Sequence, residues 1–300
     1  MAVALVLDRV WREPPLAVHP VRLIGIGLDT AGRRIPAGPP VRAAVTGGVA
    51  WTVGAVAVVA AGVGVHRAAG RASPWIRPVL VGAALWPLLA YRMLLDEVDA
   101  VERALQADVA AGRAAVARIV SRDVSAASED QVRQAAIESL GENLSDSVIA
   151  PLLWFGLGGL PAAALYRYAN TADAVWGYRT PRWRHAGMIA ARVDDLLNLV
   201  PARMTGVGLA MPGVRLATLR REAARTPSPN AGWPMAALAL RLGVRLDKPG
   251  SYVLARHRPS PTPADTDTAL RLVRRRGVAL AGGMAVVAAV RAAVGAWWRR

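Results

Sequence analysis

Residues 43–65 run for 23 positions without a formal charge. Wound as a helix rising about 1.5 Å per residue, that stretch outruns the roughly 30 Å hydrocarbon core of a bilayer, so the chain is expected to cross a membrane there. Four weaker apolar stretches follow the same logic: 78–95, interrupted by Arg92; 148–166, uncharged throughout; 196–214, carrying Arg203; and 277–298, carrying Arg291. A hydrophobic content of 54% with a single Phe is gathered into these blocks, as a bilayer solvent demands. The expected fold is all-α and polytopic, with about four or five membrane-embedded helices, one of them broken or re-entrant, plus extramembrane helical regions.

Residues 1–300 read as a single membrane-embedded domain, with 96–147 and 215–276 as regions outside the hydrocarbon. Within 96–122, Val98, Val101, Leu105 and Val109 recur at three- and four-residue spacing, predicting an amphipathic helix or helix pair. The net charge of +16 comes with no concentrated basic motif, so contact with anionic lipid headgroups explains it and nucleic-acid binding is not expected. Cysteine is absent, which excludes disulfides and thiolate metal sites. No cleavable signal peptide is evident, and no Gly-x4-Gly-Lys-Ser/Thr loop is present to cradle a nucleotide.

Polar groups concentrate around the apolar stretch 148–166. Before it stands Glu142-Asn143-Leu144-Ser145-Asp146, whose Glu142 and Asp146 share a face of an α-helix and suit a hard cation such as Mg²⁺. A capping cluster at a helix mouth, with Ser145 or Asp146 bonding free amides, is the equal alternative. After it come Asn170-Thr171-Ala172-Asp173, Gly177-Tyr178-Arg179 and Arg192-Val193-Asp194-Asp195, with Asn198 one turn on and Arg203 beyond. Adjacent aspartates entering an apolar helix cost several kcal/mol unless a cation compensates, and charges in such segments mark sites more often than architecture. An internal salt bridge from Arg192 or Arg203 is the architectural alternative. A straight helix over 148–166 would hold the flanking clusters about 28 Å apart. The run Gly158-Gly159-Leu160-Pro161 is a plausible break, so a bent or re-entrant hairpin is expected to bring both clusters to one cavity. His19-Pro20-Val21-Arg22 and Ser228-Pro229-Asn230-Ala231-Gly232 read as turns, in which Arg22 could contact phosphate and Asn230 with its neighbouring amides could hold an anion.

In this order the motifs resemble the CobD/CbiB family, the adenosylcobinamide-phosphate synthases. The resemblance runs over roughly residues 8 to 255. It is carried by His19-Pro20-Val21-Arg22, Arg118 to Arg122-Asp123, Glu138-Ser139, Glu142-Asn143 with Ser145-Asp146, and Gly158-Gly159-Leu160-Pro161. It continues through Asn170-Thr171 with Asp173, Gly177-Tyr178, Arg192 with Asp194-Asp195 and Asn198, Pro201-Ala202-Arg203, and Ser228-Pro229-Asn230. The chain departs where similar proteins open with a longer apolar helix, and Ser147 stands at the family's usual Gly after the Asp.

The resemblance implies an ATP-dependent amide ligase that joins adenosylcobyric acid to (R)-1-aminopropan-2-ol phosphate, with ATP and Mg²⁺ consumed. Expected catalytic residues are then Glu142, Asp146, Asp194 and Asp195, with Glu142, Asp146 and Asp194 on the metal. Expected substrate-binding residues are His19, Arg22, Asn143, Asn170, Asp173, Arg179, Arg192, Asn198, Arg203, Ser228 and Asn230. The expected partners are the corrinoid substrate, aminopropanol phosphate, the lipid bilayer and other membrane enzymes of late cobalamin synthesis. The expected location is the inner cell membrane, multi-pass, with the site facing the cytoplasm. A membrane transporter and a non-catalytic scaffold of the same family are the rival readings.

Overall fold

The computed structural model describes residues 1–36 and 38–297. The helices are α1 (Ala2–Trp11), α2 (Pro20–Arg34), α3 (Pro40–Gly70), α4 (Arg77–Leu85), α5 (Tyr91–Ala107), α6 (Val109–Val116), α7 (Glu129–Leu144), α8 (Ala150–Trp176), α9 (Met188–Ala210), α10 (Leu216–Ala223), α11 (Gly232–Leu242) and α12 (Pro263–Trp297). A π-helical turn, Ser145–Ile149, joins α7 to α8. Two short antiparallel strands, β1 (Leu246–Lys248) and β2 (Tyr252–Leu254), are the sheet structure among the described residues. The protein is therefore all-α in character, as its apolar blocks predict. The expected pair over 96–122 is present as α5 and α6, with Val98, Val101 and Leu105 buried.

Three stretches among the described residues are long and apolar enough to cross a membrane: Pro40–Gly70, Arg77–Ala107 and Glu129–Trp176. They contain the expected segments 43–65, 78–95 and 148–166. The second is not one straight helix, because a 3-10 turn at Trp86–Leu88 leads into extended backbone at Leu89. The stretch 196–214 is helical only to Ala210. The last expected segment, 277–298, belongs to α12, and its final residue lies outside the described residues.

The chain divides into two compact units. The first comprises Met1–Ala90, Ala150–Leu197 and Gly282–Arg300. Proline at the first helical position starts α2 and α3, where its missing N–H leaves no bond unmade. One side of α3 presents Val45, Val49, Val53 and Val56 outward, all more than half exposed, which suits contact with lipid chains rather than water. The other side packs on α8. A Cβ at Gly62 would press into the backbone of Pro161, and the Tyr168 hydroxyl donates to the Trp51 carbonyl at 2.9 Å. Leu28, Tyr168, Ala172, Trp176 and Ala190 lie at the centre of this core, with Trp183 stacked on Trp176.

The break in α8 is a reversal of the chain. Gly158 and Gly159 leave helical geometry, and Gly159 takes φ 67°, ψ −158°, a region open essentially to glycine alone. Trp154, before the break, donates through Nε1 to the Leu197 carbonyl at 3.1 Å. Asn170, after it, donates through Nδ2 to Asp194 Oδ1 at 3.3 Å. In a straight helix Trp154 and Asn170 would stand ~24 Å apart, whereas Asp194 and Leu197 are ~4.5 Å apart along α9. Side chains cannot make up that difference, so the two arms of α8 fold back as a helical hairpin against α9. Gly159→Ala is expected to cost about 1–3 kcal/mol by forcing a Cβ into this backbone geometry. A lowered melting temperature of the purified protein in detergent would show it, and an unaltered one would mean that the turn tolerates a side chain.

The second unit comprises Tyr91–Ile149 and Asn198–Ala281. Its central element is α7, which a capping box starts: Ser128 Oγ accepts from the Gln131 amide and Gln131 Oε1 from the Ser128 amide. Ten consecutive residues from Val132 to Gly141 are buried, so α7 has no polar face to spare. Its polar side chains are instead paired internally. Arg133 makes two 2.9 Å bonds to the Glu102 carboxylate and one of 2.8 Å to Glu129. Gln134 Oε1 accepts from the Asp247 amide at 3.0 Å, fixing β1 on α7. Helix α11 lies across Gly141 and ends at Gly243 in the left-handed conformation.

Candidate active site

Each unit carries its own polar cluster. In the first, the α8 hairpin presents Asn170 and Asp173 to the first turns of α9. Asp194, 9% exposed, accepts from Asn170, whose Oδ1 in turn lies 3.5 Å from Arg167 Nη1. Arg167 is itself buried, so a cation and an anion are joined through one amide inside the hairpin. Asp173 and Asp195 are close enough to repel one another across α8 and α9. The Asp173 carboxylate lies over Gly177, where any Cβ would collide with it, which explains why glycine follows the end of α8.

Burial pushes the Asp195 carboxyl above its ordinary range, and the Arg192 and Arg179 guanidiniums act against that rise. A carboxyl raised on folding contributes stability below the unfolded pKa, and this is lost as pH rises through the folded pKa. The ionised Asp195 is therefore held at a cost to the fold. Removing its charge by Asp195→Asn is expected to leave the melting temperature at pH 7 unchanged or higher, whereas removing Arg192 should lower it. A fall in melting temperature of the Asp195→Asn protein would contradict this account of the cluster.

In the second unit, Arg122 Nη2 donates to Glu138 Oε2 at 2.7 Å, with both side chains largely buried. The other terminal atom of the arginine, Nη1, is buried without a hydrogen-bond partner, while the Glu138 carboxylate also interacts with the Tyr252 phenol. The Tyr252 phenol lies beside them. Burial raises it above its usual range, and the carboxylates of Glu138 and Glu142 raise it further. Glu142 thus belongs to a group with Glu138, Arg122 and Tyr252. Asn143 is engaged in its own helix, its Nδ2 donating to the Ser139 carbonyl and Oγ at 3.1 Å each. Ser147 Oγ donates to Asn143 Oδ1 at 3.5 Å, which extends this ladder by one turn. Asp146 lies in the π turn, four residues after Glu142 along backbone that stays helical. The backbone is helical before and after, which leaves no helix mouth there for Ser145 or Asp146 to cap.

The late loop also folds around an expected arginine. Arg203 donates to the Leu199 carbonyl at 2.7 Å and to Asn230 Oδ1 at 3.0 Å, and stacks 5.2 Å from the Trp233 ring centre. Ser228 Oγ accepts from the amides of Asn230 and Ala231, which occupies the amides expected for an anion. Arg203 is thereby tied to the 228–233 loop. Asn198 is buried. At the N-terminus, His19 is buried 3.4 Å from the Glu13 carboxylate, and Arg22 donates to the Leu16 carbonyl.

Four side chains with these properties are absent from the sequence-derived set of site residues: Arg122, Arg167, Glu138 and Tyr252. Glu138 lies within the quoted motifs, so its signal was present in the sequence. Arg167 directly follows the apolar run, which marks it by the same logic as Asp194. Nothing in the sequence around Tyr252 points to a site.

No group of three or more His, Asp or Glu suited to a metal is assembled among the described residues. Asp173 and Asp195 provide a pair of oxygen-bearing side chains with arginines nearby. That suits Mg²⁺ held by one or two carboxylates together with substrate phosphate, and does not suit an all-protein cage.

A helical chain with stretches long and apolar enough to cross a membrane, and with charged side chains buried beside a broken helix, has the character of an integral membrane protein. The chain belongs to the CobD/CbiB family of cobalamin biosynthesis proteins, whose profile, described as CobD/Cbib protein, matches residues 1–274. The cobalamin biosynthesis protein CobD of Rhodobacter capsulatus is 41% identical over 251 residues, 79% of this chain and 78% of that protein. The CobD protein of Klebsiella pneumoniae is 36% identical over 83% of this chain and 82% of its own length. The probable CobD protein of Methanothermobacter thermautotrophicus is 37% identical over 85% of each. No solved structure matches the chain.

Proposed function

We propose that the protein is an ATP-dependent ligase of cobalamin biosynthesis that forms the amide bond between adenosylcobyric acid and (R)-1-aminopropan-2-ol phosphate. The observation that carries this reading is the Arg167–Asn170–Asp194 chain at the hairpin, flanked by Asp173, Asp195 and two arginines. A carboxylate substrate is inert toward an amine until its oxygen is made a leaving group. Transfer of the ATP γ-phosphoryl to that oxygen gives an acyl phosphate and ADP. Attack by the amine then forms the amide and releases inorganic phosphate. Bound Mg²⁺ would neutralise charge on the transferring phosphoryl group.

The chain's own residues supply the remaining steps. Asp173 and Asp195 are the oxygen ligands we assign to the metal. Arg192 and Arg179, exposed beside Asp195, receive phosphate oxygens. Arg167 holds Asn170, and Asn170 holds Asp194 with its Oδ1 fixed and its second oxygen directed by that bond. Asp194 accepts the proton that the incoming ammonium must lose. Because ATP is a cytoplasmic reagent, the site faces that side of the inner cell membrane.

The helical hairpin equally favours a transporter, since broken helices line the binding sites of permeases. Coupling separates the two readings. The ligase is expected to hydrolyse ATP only when the corrinoid acid and the amine phosphate are both present. Corrinoid accumulation in sealed vesicles without ATP consumption would favour transport, and corrinoid binding with neither would favour a scaffold.

A further inference from the structure

We infer that the basic groove on α12 binds the phosphate headgroup of an anionic membrane lipid. The groove encloses about 580 Å³ and is lined by Arg241, Arg271, Arg274, Arg275 and Arg276, with no carboxylate among its lining residues. On α12, Arg271, Arg274 and Arg275 stand three and four residues apart and so share a face. No ion pair joins any of the five to a carboxylate among the described residues. Arg241 is steadied by donating to the Pro212 carbonyl and Arg271 by donating to Thr268 Oγ1 at 2.8 Å, which leaves both with further N–H groups to offer. Repulsion among five clustered guanidiniums is unfavourable unless an anion answers it.

The helix itself identifies that anion. Directly after Arg276, residues 277–289 are uncharged and run ~20 Å along α12. Val278, Val286 and Val287 on this run are each more than half exposed. A helix that passes from an arginine collar into exposed valines matches the boundary between headgroups and acyl chains, with arginines at phosphate level and valines among the tails. Leu272 and Ala279 give the groove an apolar floor on which the start of an acyl chain can lie. A nucleotide fits less well, because no aromatic ring lines the groove to hold a base. This site is separate from the residues assigned to the ligase reaction, and its test does not depend on that reaction.

The test is native mass spectrometry of the full-length protein in detergent, titrated with dioleoyl phosphatidylglycerol or dioleoyl phosphatidylcholine. The wild-type protein should retain phosphatidylglycerol in preference to phosphatidylcholine. The triple variant R271Q/R274Q/R275Q should retain it on the order of 10–100-fold more weakly. The charge-preserving R271K/R274K/R275K protein should keep most of the binding, which separates lost charge from a damaged fold. Two results on wild-type protein alone would overturn the proposal: equal retention of the two lipids, or displacement of phosphatidylglycerol by millimolar ATP or inorganic phosphate. The latter would make the groove a nucleotide or free-phosphate site.

Discussion

Asp194→Asn is expected to slow amide formation on the order of 10²–10⁴-fold while leaving the protein folded. The substituted amide can turn its oxygen to the Asn170 Nδ2, so the 3.3 Å bond that closes the hairpin on α9 survives. What is lost is the negative charge and the ability to take a proton. The fall should appear in kcat more than in KM, because binding of the corrinoid and the amine phosphate draws on other groups. Chromatographic rates of corrinoid conversion, paired with a melting curve, read both effects. Normal turnover would remove Asp194 from the mechanism. A collapse of the melting temperature would make it a structural residue instead.

Arg133→Met should destabilise the second unit by about 3–5 kcal/mol, the usual result of removing one partner from a buried ion pair. Arg133 and Glu102 side chains are 4% and 7% exposed, so the abandoned Glu102 carboxylate has little water to turn to. The exposed Glu129 carboxylate should contribute little to the loss. The double variant with Glu102→Gln should recover a large part of the stability, because the buried charge then goes too. Denaturation of the two variants in detergent measures the difference. A double variant no more stable than Arg133→Met would mean that packing of the arginine, and not its charge, holds α7 to α5.

The hairpin was legible because its cause is local. Gly158-Gly159-Leu160-Pro161 combines two residues free to leave helical geometry with one that cannot continue a helix, and the structure turns there. Asp194 and Asn170 were legible for a different reason, since polar groups next to apolar helices are costly enough to stand out. The Glu138–Arg122–Tyr252 group was not assembled from sequence because its members come from α7, the loop before it and a short strand. Only folding of the second unit brings them together. The π turn at Ser145–Ile149 was not legible, because spacing arguments assume an α-helix and nothing in that segment announces the wider winding. Arg203 could be singled out as a charge in an apolar stretch, but its partner Asn230 lies in a loop, and loops carry no periodic signal.

The most direct test of a membrane-bound ligase is the mass of the corrinoid after reaction. Purified protein in nanodiscs, given adenosylcobyric acid, aminopropanol phosphate, ATP and Mg²⁺, should yield adenosylcobinamide phosphate with one ADP released per amide formed. A corrinoid of unchanged mass after complete incubation with active, folded protein would contradict the assignment.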